Sequence, residues 1–176
     1  MKQLALLRQE RQAYGGDLLK TRRGRAHARP LTTRGTKHLV LRSSRAKGEW
    51  SFRKPQNKAR IENILTHFAR KNGLRLLSTA NVGNHLHLHV KLSTRHTYRA
   101  FIRAVTAAIA MAVTGASRWR PGEGKFWDRR PFSRVMRGLR SYLNVRDYIE
   151  VNQLEGLGYR RDEARFAVAW RNAGAG

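Results

Sequence analysis

From residue 38 to residue 154 the chain switches between two hydrophobic periods, and the switches mark its elements. His38-Leu39-Val40-Leu41-Arg42 is a short apolar run that reads as a strand. From about Asn57 to Lys71, Ile61, Ile64, Leu65, Phe68 and Ala69 recur at i, i+3, i+4, i+7 and i+8, which predicts a helix with one buried face. Asn72-Gly73 closes it. Leu74 to Thr79 and Asn84 to Leu92 read as two strands, and Asn81-Val82-Gly83-Asn84 supplies the turn that makes them a hairpin. Ser93-Thr94 is the expected cap of a second helix, which buries Tyr98, Phe101, Val105, Ile109 and Ala112 and stops at Gly115. Phe126 to Val135 reads as a fourth strand interrupted by Pro131, and a third helix runs from about Leu139 to Leu154. The order is β-α-β-β-α-β-α. Its first six elements give an α+β chain with the ferredoxin-like split βαβ arrangement, a four-stranded antiparallel sheet carrying two helices on one face. The third helix is an addition at the C-terminal side.

The strand Asn84 to Leu92 carries the first candidate chemistry. Successive side chains of a strand point to opposite faces, so Leu86, Leu88 and Val90 share one face and His85, His87 and His89 the other. The apolar face enters a core. The other presents a row of imidazoles, a ligand type that suits several divalent metals. Two of them with one further ligand suffice for an open catalytic site, which makes His89 a candidate additional ligand or a bystander.

Charge narrows the partners. The 176 residues hold 37 Lys+Arg against 11 Asp+Glu, a net charge of +26. Such an excess repels itself unless a polyanion is bound, and nucleic acid is the partner it fits. The run Lys20-Thr21-Arg22-Arg23-Gly24-Arg25 lies in a basic stretch suited to phosphates, and residues 1–29 are expected to form a flexible N-terminal arm. Arg118, Arg120, Arg129 and Arg130 stand among Trp119 and Trp127, a mixture suited to stacking bases and neutralising a single-stranded backbone. Trp127 reads equally as a core residue. No apolar run is long enough to span a bilayer, the N-terminus lacks a signal-peptide core, and there are no cysteines. The expected location is the bacterial cytoplasm, in association with the nucleoid.

On the third helix Tyr148 and Asn152 are four residues apart and neighbour one another. An amide oxygen can join two imidazoles on a hard ion such as Mg²⁺ or Mn²⁺, and a tyrosine beside that ion can act as a nucleophile. The same spacing is also ordinary for a helix whose Tyr packs into a core. Other chemistries fit poorly: the acidic residues form no pair suited to a two-metal nuclease, and no Gly-rich phosphate loop follows a strand.

Taken together, Gly83-Asn84-His85-Leu86-His87, Phe126-Trp127-Asp128-Arg129 and Asp147-Tyr148-Ile149-Glu150-Val151-Asn152 resemble the single-tyrosine HUH transposases of the IS200-like fold, and most of all their REP-associated branch. The resemblance covers roughly residues 30–158 and includes the element order. It implies a catalytic domain there, with residues 159–176 a short tail. It implies that His85, His87 and Asn152 hold Mg²⁺ or Mn²⁺. It implies that Tyr148 attacks a DNA phosphate to form a 5′-phosphotyrosine link, and that the substrate is single-stranded DNA near hairpins. The chain departs from the pattern at Gln153, where Pro is usual, at Gly83, where Pro is frequent, and at His89, where an apolar or aromatic residue is usual. Two other readings use the same fold: a non-catalytic protein that binds hairpin DNA or RNA, and a nickase like a replication initiator. A monomer and a homodimer, with Tyr148 acting within or across subunits, fit the sequence equally.

Overall fold

Strand β2 (Thr36–Arg42) lies at the middle of the sheet, flanked on one side by β4 (His85–Leu92) and on the other by β5 (Phe132–Met136). The computed structural model describes residues 12–20 and 28–174. β3 (Leu74–Asn81) lies outside β4, and a two-residue strand, β1 (Ala13–Tyr14), lies outside β5. The order is β1-β5-β2-β4-β3, and every neighbouring pair is antiparallel. Without β1 this is the expected four-stranded ferredoxin-like sheet. β1 is a fifth strand that the sequence reading placed within the basic arm. Gly15 and Gly16, at φ +87° and +55°, turn the chain sharply after it into a short helical turn, Gly16–Lys20. A Cβ on Gly15 would come within 2.1 Å of the Pro131 carbonyl oxygen, so only glycine fits that crossing. Arg22, Arg23 and Arg25, expected to contact DNA, lie outside the described residues.

Helices α1 (Pro55–Lys71) and α2 (Arg95–Thr114) cover one face of the sheet. Alternation in the strands sends Leu39, Leu41, Leu86, Leu88 and Val90 against Ile61, Leu65 and Ala69 of α1 and Phe101, Val105 and Ile109 of α2. Pro55 occupies the first turn of α1, where its missing N–H costs nothing. Thr94 precedes α2, but its hydroxyl makes no capping bond; the Thr97 hydroxyl instead donates to the Thr94 carbonyl oxygen. Gly115 ends α2 in the left-handed conformation, as expected.

The fourth core strand is shorter than its sequence suggested. Pro131 has no N–H to give a ladder, and β5 starts only at Phe132. Residues 126–130 are instead tied to the end of β2. Asp128 N–H donates to the Arg42 carbonyl, and the Asp128 carboxylate accepts from the Ser44 N–H at 2.7 Å and the Ser44 hydroxyl at 2.9 Å.

The opposite face of the sheet is covered by helix α3 (Leu139–Gly156). Val145 and Ile149 pack there on Ala80 and Met136. The segment beyond Tyr159 forms helix α4 (Arg161–Ala173), longer than the short tail expected, and it packs on α3 through Ala164, Val168 and Val151. Among the described residues no helix is long and apolar enough to cross a membrane.

Candidate active site

The antiparallel register decides which side chains meet under α3. His38 pairs with His89, Val40 with His87, and Arg42 with His85. All six therefore project from the face opposite the two-helix layer. The three histidines of β4 do share one face, as the alternation predicted. His87 and His89 are buried, and His85 is half-buried.

Tyr148 stands over this row from α3. Its ring centre is 5.4 Å from that of His87 and 5.7 Å from that of His38, edge to face in both cases. It remains 43% exposed. A cleft of about 930 Å³ is lined by His85, His87, Tyr148, Arg42, Arg129 and Arg130, among others. The predicted nucleophile, two predicted ligands and two of the predicted DNA-contacting arginines are thus brought together.

Each cleft histidine has its far nitrogen engaged. His85 Nδ1 lies 2.6 Å from Asn84 Oδ1. An amide oxygen only accepts, so the proton sits on Nδ1 and the Nε2 lone pair is left for a ligand. His87 Nδ1 lies 3.1 Å from His38 Nε2, while His87 Nε2 is buried with no partner. An unpartnered buried imidazole nitrogen in a cleft is what a cation site requires. Among the described residues no three His, Cys, Asp or Glu side chains converge as a metal cage, so a third donor has to come from an amide or from the substrate.

Asn152, the amide expected there, is buried one turn beyond Tyr148. Its Nδ2 donates to the Tyr148 carbonyl oxygen at 2.7 Å, and the residue is not among those lining the cleft. That bond fixes the orientation of the amide. His89 lies apart from the cleft. Its Nε2 meets the Thr36 hydroxyl at 2.7 Å and its ring packs at 4.9 Å on Tyr142. His89 thus lies under α3 outside the cleft, with its Nδ1 buried and unpartnered, and Tyr142 packs on it rather than lining the cleft. Tyr159 is exposed beyond the end of α3.

Trp127, Arg118 and Arg120 lie outside the cleft. Trp127 is not a free stacking platform: its indole N–H donates to the Thr106 carbonyl at 2.9 Å and its ring packs on Phe52 and Phe126. Arg118 and Arg120 lie in the segment after α2, away from the cleft; Arg118 stacks on Trp119, which is 87% exposed. The sequence reading missed His38 and Arg42. Both follow from the alternation of β2, where Thr36, His38, Val40 and Arg42 share a face. Arg42 Nε lies 3.6 Å from Asp128 Oδ2, so the Phe126-Trp127-Asp128-Arg129 segment supports the arginine of the cleft as well as the end of β2.

Burial sets the protonation of the site. Desolvation, with the neighbouring His38 and His85, pushes His87 down to about 3. Desolvation, then His89 and Arg134, takes His38 to about 4, and desolvation alone takes His89 to about 4. Burial and then Arg42 also lower His85. All are neutral near pH 7, the form a metal ligand needs. A folded pKa below the unfolded value of about 6.5 means the unfolded chain binds more protons in between. Stability is therefore full above pH 6.5 and falls with pH toward 3–4, each buried histidine adding at most about 1.4 kcal/mol per pH unit. Urea midpoints are expected to hold between pH 7.5 and about 6.5 and to fall steadily from there to pH 4.5, and His89→Phe is expected to flatten the slope below 6.5.

Residues 33–152 match the family model of IS200-like transposases, and the chain belongs to that family. A solved structure of a REP-associated tyrosine transposase bound to a REP hairpin is 14% identical, with a TM-score of 0.52 over 73% of this chain and 72% of that one. It shares the fold. A proposed transposase from Deinococcus radiodurans R1 is 17% identical over 72% of this chain and 97% of its own, at a TM-score of 0.41. Comparison with curated proteins gave no match.

Proposed function

We propose that this protein is a transposase that nicks and rejoins single-stranded DNA near hairpins, with Tyr148 as the nucleophile. The observation that carries the reading is Tyr148 on α3, half-open to solvent and packed on His87, in one cleft with His85 and three arginines. The Tyr148 oxygen attacks a backbone phosphorus while the bond to the 3′ oxygen breaks. The phenolic proton is lost, the 3′ oxygen leaves as a hydroxyl, and the 5′ phosphate stays on tyrosine. Rejoining reverses the step with another 3′ hydroxyl. His85 and His87 through Nε2 are the cleft residues that would hold Mg²⁺ or Mn²⁺, and Asn152, which does not line the cleft, is the expected third ligand through its amide oxygen. The ion would polarise the phosphate and stabilise its developing charge. Arg42, Arg129 and Arg130 bind the phosphate oxygens on either side and orient the strand for in-line attack.

The hairpin preference follows the family and the hairpin-bound structure of the relative. Incubation of a labelled strand that carries a hairpin, with Mn²⁺ or with chelator, tests the reading. Cleavage of the hairpin strand with Mn²⁺ alone is expected; no cleavage under either condition would favour a protein that only binds hairpins. The charge makes a separate prediction. At +26 the complex should neutralise many phosphates, and a plot of log affinity against log salt should be steeper than about −4. A flat response would contradict a backbone-dominated complex. Replacing Arg22, Arg23 and Arg25 of the basic arm by alanine should weaken binding to all sequences alike.

A further inference from the structure

The two cleft histidines are backed by different groups. Behind His85 stands an amide oxygen, which can only accept, so its Nε2 is fixed as the lone pair. Behind His87 stands another imidazole, which can accept or donate. If His38 donated to His87 Nδ1, the His87 proton would move to Nε2, and a proton rather than a lone pair would face the cleft. If His38 accepts, His87 presents its lone pair there. The surroundings hold the pair in register. The rings of His38 and His87 are nearly parallel, with planes 13° apart and centres 5.3 Å apart, which suits an in-plane bond between their facing nitrogens, and His38 lies at a steep angle to Phe132 at 6.2 Å and to Tyr148 at 5.7 Å. Both rings are more than nine-tenths buried, and His87 Nε2 has no partner.

We propose that His38 is a positioning residue of the site. Its Nε2 accepts the Nδ1 proton of His87, locks that imidazole as the Nδ1–H tautomer, and keeps the Nε2 lone pair turned into the cleft for a divalent cation. It does so from β2, through a bond between neighbouring strands, and it touches the face of the nucleophile Tyr148 as well. The part that concerns a cation rests on the ligand assignment proposed above; the tautomer does not.

The test reads both on the full chain. In metal-free protein at pH 7.5, ¹⁵N-detected histidine spectra should show His87 protonated at Nδ1. His38→Phe keeps a ring against Phe132 and Tyr148 but removes the acceptor; it should release the tautomer and weaken Mn²⁺ binding, measured without DNA, by roughly 10–100-fold. His38→Gln places an amide oxygen near the lost nitrogen and should restore most of the affinity. The proposal is overturned if wild-type His87 is protonated at Nε2. It is also overturned if His38→Phe binds Mn²⁺ within twofold of wild type, or if Phe and Gln are equally impaired with the tautomer unchanged. His87→Ala separates the two readings. If it leaves Mn²⁺ affinity intact the ligand assignment fails, and the spectra alone then decide the role of His38.

Discussion

Tyr148→Phe should form no covalent protein–DNA adduct and should still bind hairpin DNA. The substitution removes one oxygen and keeps the ring that packs on His38 and His87, so the fold and the cleft survive. Loss of an attacking group removes the covalent path altogether, so the expected effect on cleavage is at least about 10³-fold, by analogy with the loss of other enzymatic nucleophiles. Affinity comes from arginines across the surface and should change less than about threefold, since the hydroxyl neutralises no phosphate. Gel-shift and denaturing-gel assays on the same strand separate the two quantities. The neighbouring tyrosines are the controls. Tyr142 packs on His89 and Tyr159 is exposed past the end of α3, so Phe at either position should leave the adduct in place.

The histidines should divide two against one. His85→Ala and His87→Ala remove the cleft imidazoles that, in the proposed mechanism, would act on the phosphate. Cleavage should fall by about 10²-fold or more with binding retained, the size expected when an electrostatic group at the reacting centre is lost. His89→Ala should behave differently. Its ring is buried between Thr36 and Tyr142, outside the cleft, so the loss should appear in stability, at roughly 2–4 kcal/mol for a buried ring and its hydrogen bond. Cleavage by the folded fraction should persist. Urea midpoints beside cleavage rates decide this; equal losses of cleavage at all three positions would return His89 to the metal site.

The split βαβ core was legible because each of its strands and helices keeps a clean period. Alternation over His85 to Val90 placed Leu86, Leu88 and Val90 in the core and three histidines opposite them before any register was known. Alternation cannot say which histidines remain accessible once α3 lies over them, and this is why His89 was carried as a ligand candidate. Nor does the pattern of one strand reveal its partner. His38 and Arg42 gained meaning only when β2 paired with β4 in a register that set them beside His87 and His85. The strand at Ala13–Tyr14 was hidden because two residues have no period, and its pairing with β5 is decided by the turn at Gly15-Gly16. Trp127 shows the same limit for aromatics: sequence placed it among arginines, while its N–H and ring face Thr106 and Phe52. Helix α4 was underestimated because, after two glycines, its apolar stripe is thin; only Ala164 and Val168 are buried.

The proposed reaction bonds Tyr148 of α3 to the 5′ phosphate of a cleaved strand. The most direct measurement is to incubate the full chain with Mn²⁺ and a hairpin-bearing strand labelled at one end or the other. The adduct is then digested and the peptide that carries nucleotide is identified by mass spectrometry. The account predicts that only the fragment 3′ to the cut is retained on protein, that the other fragment ends in a free 3′ hydroxyl, and that the modified residue is Tyr148. Cleavage without any retained fragment, or an adduct on another residue, would contradict it.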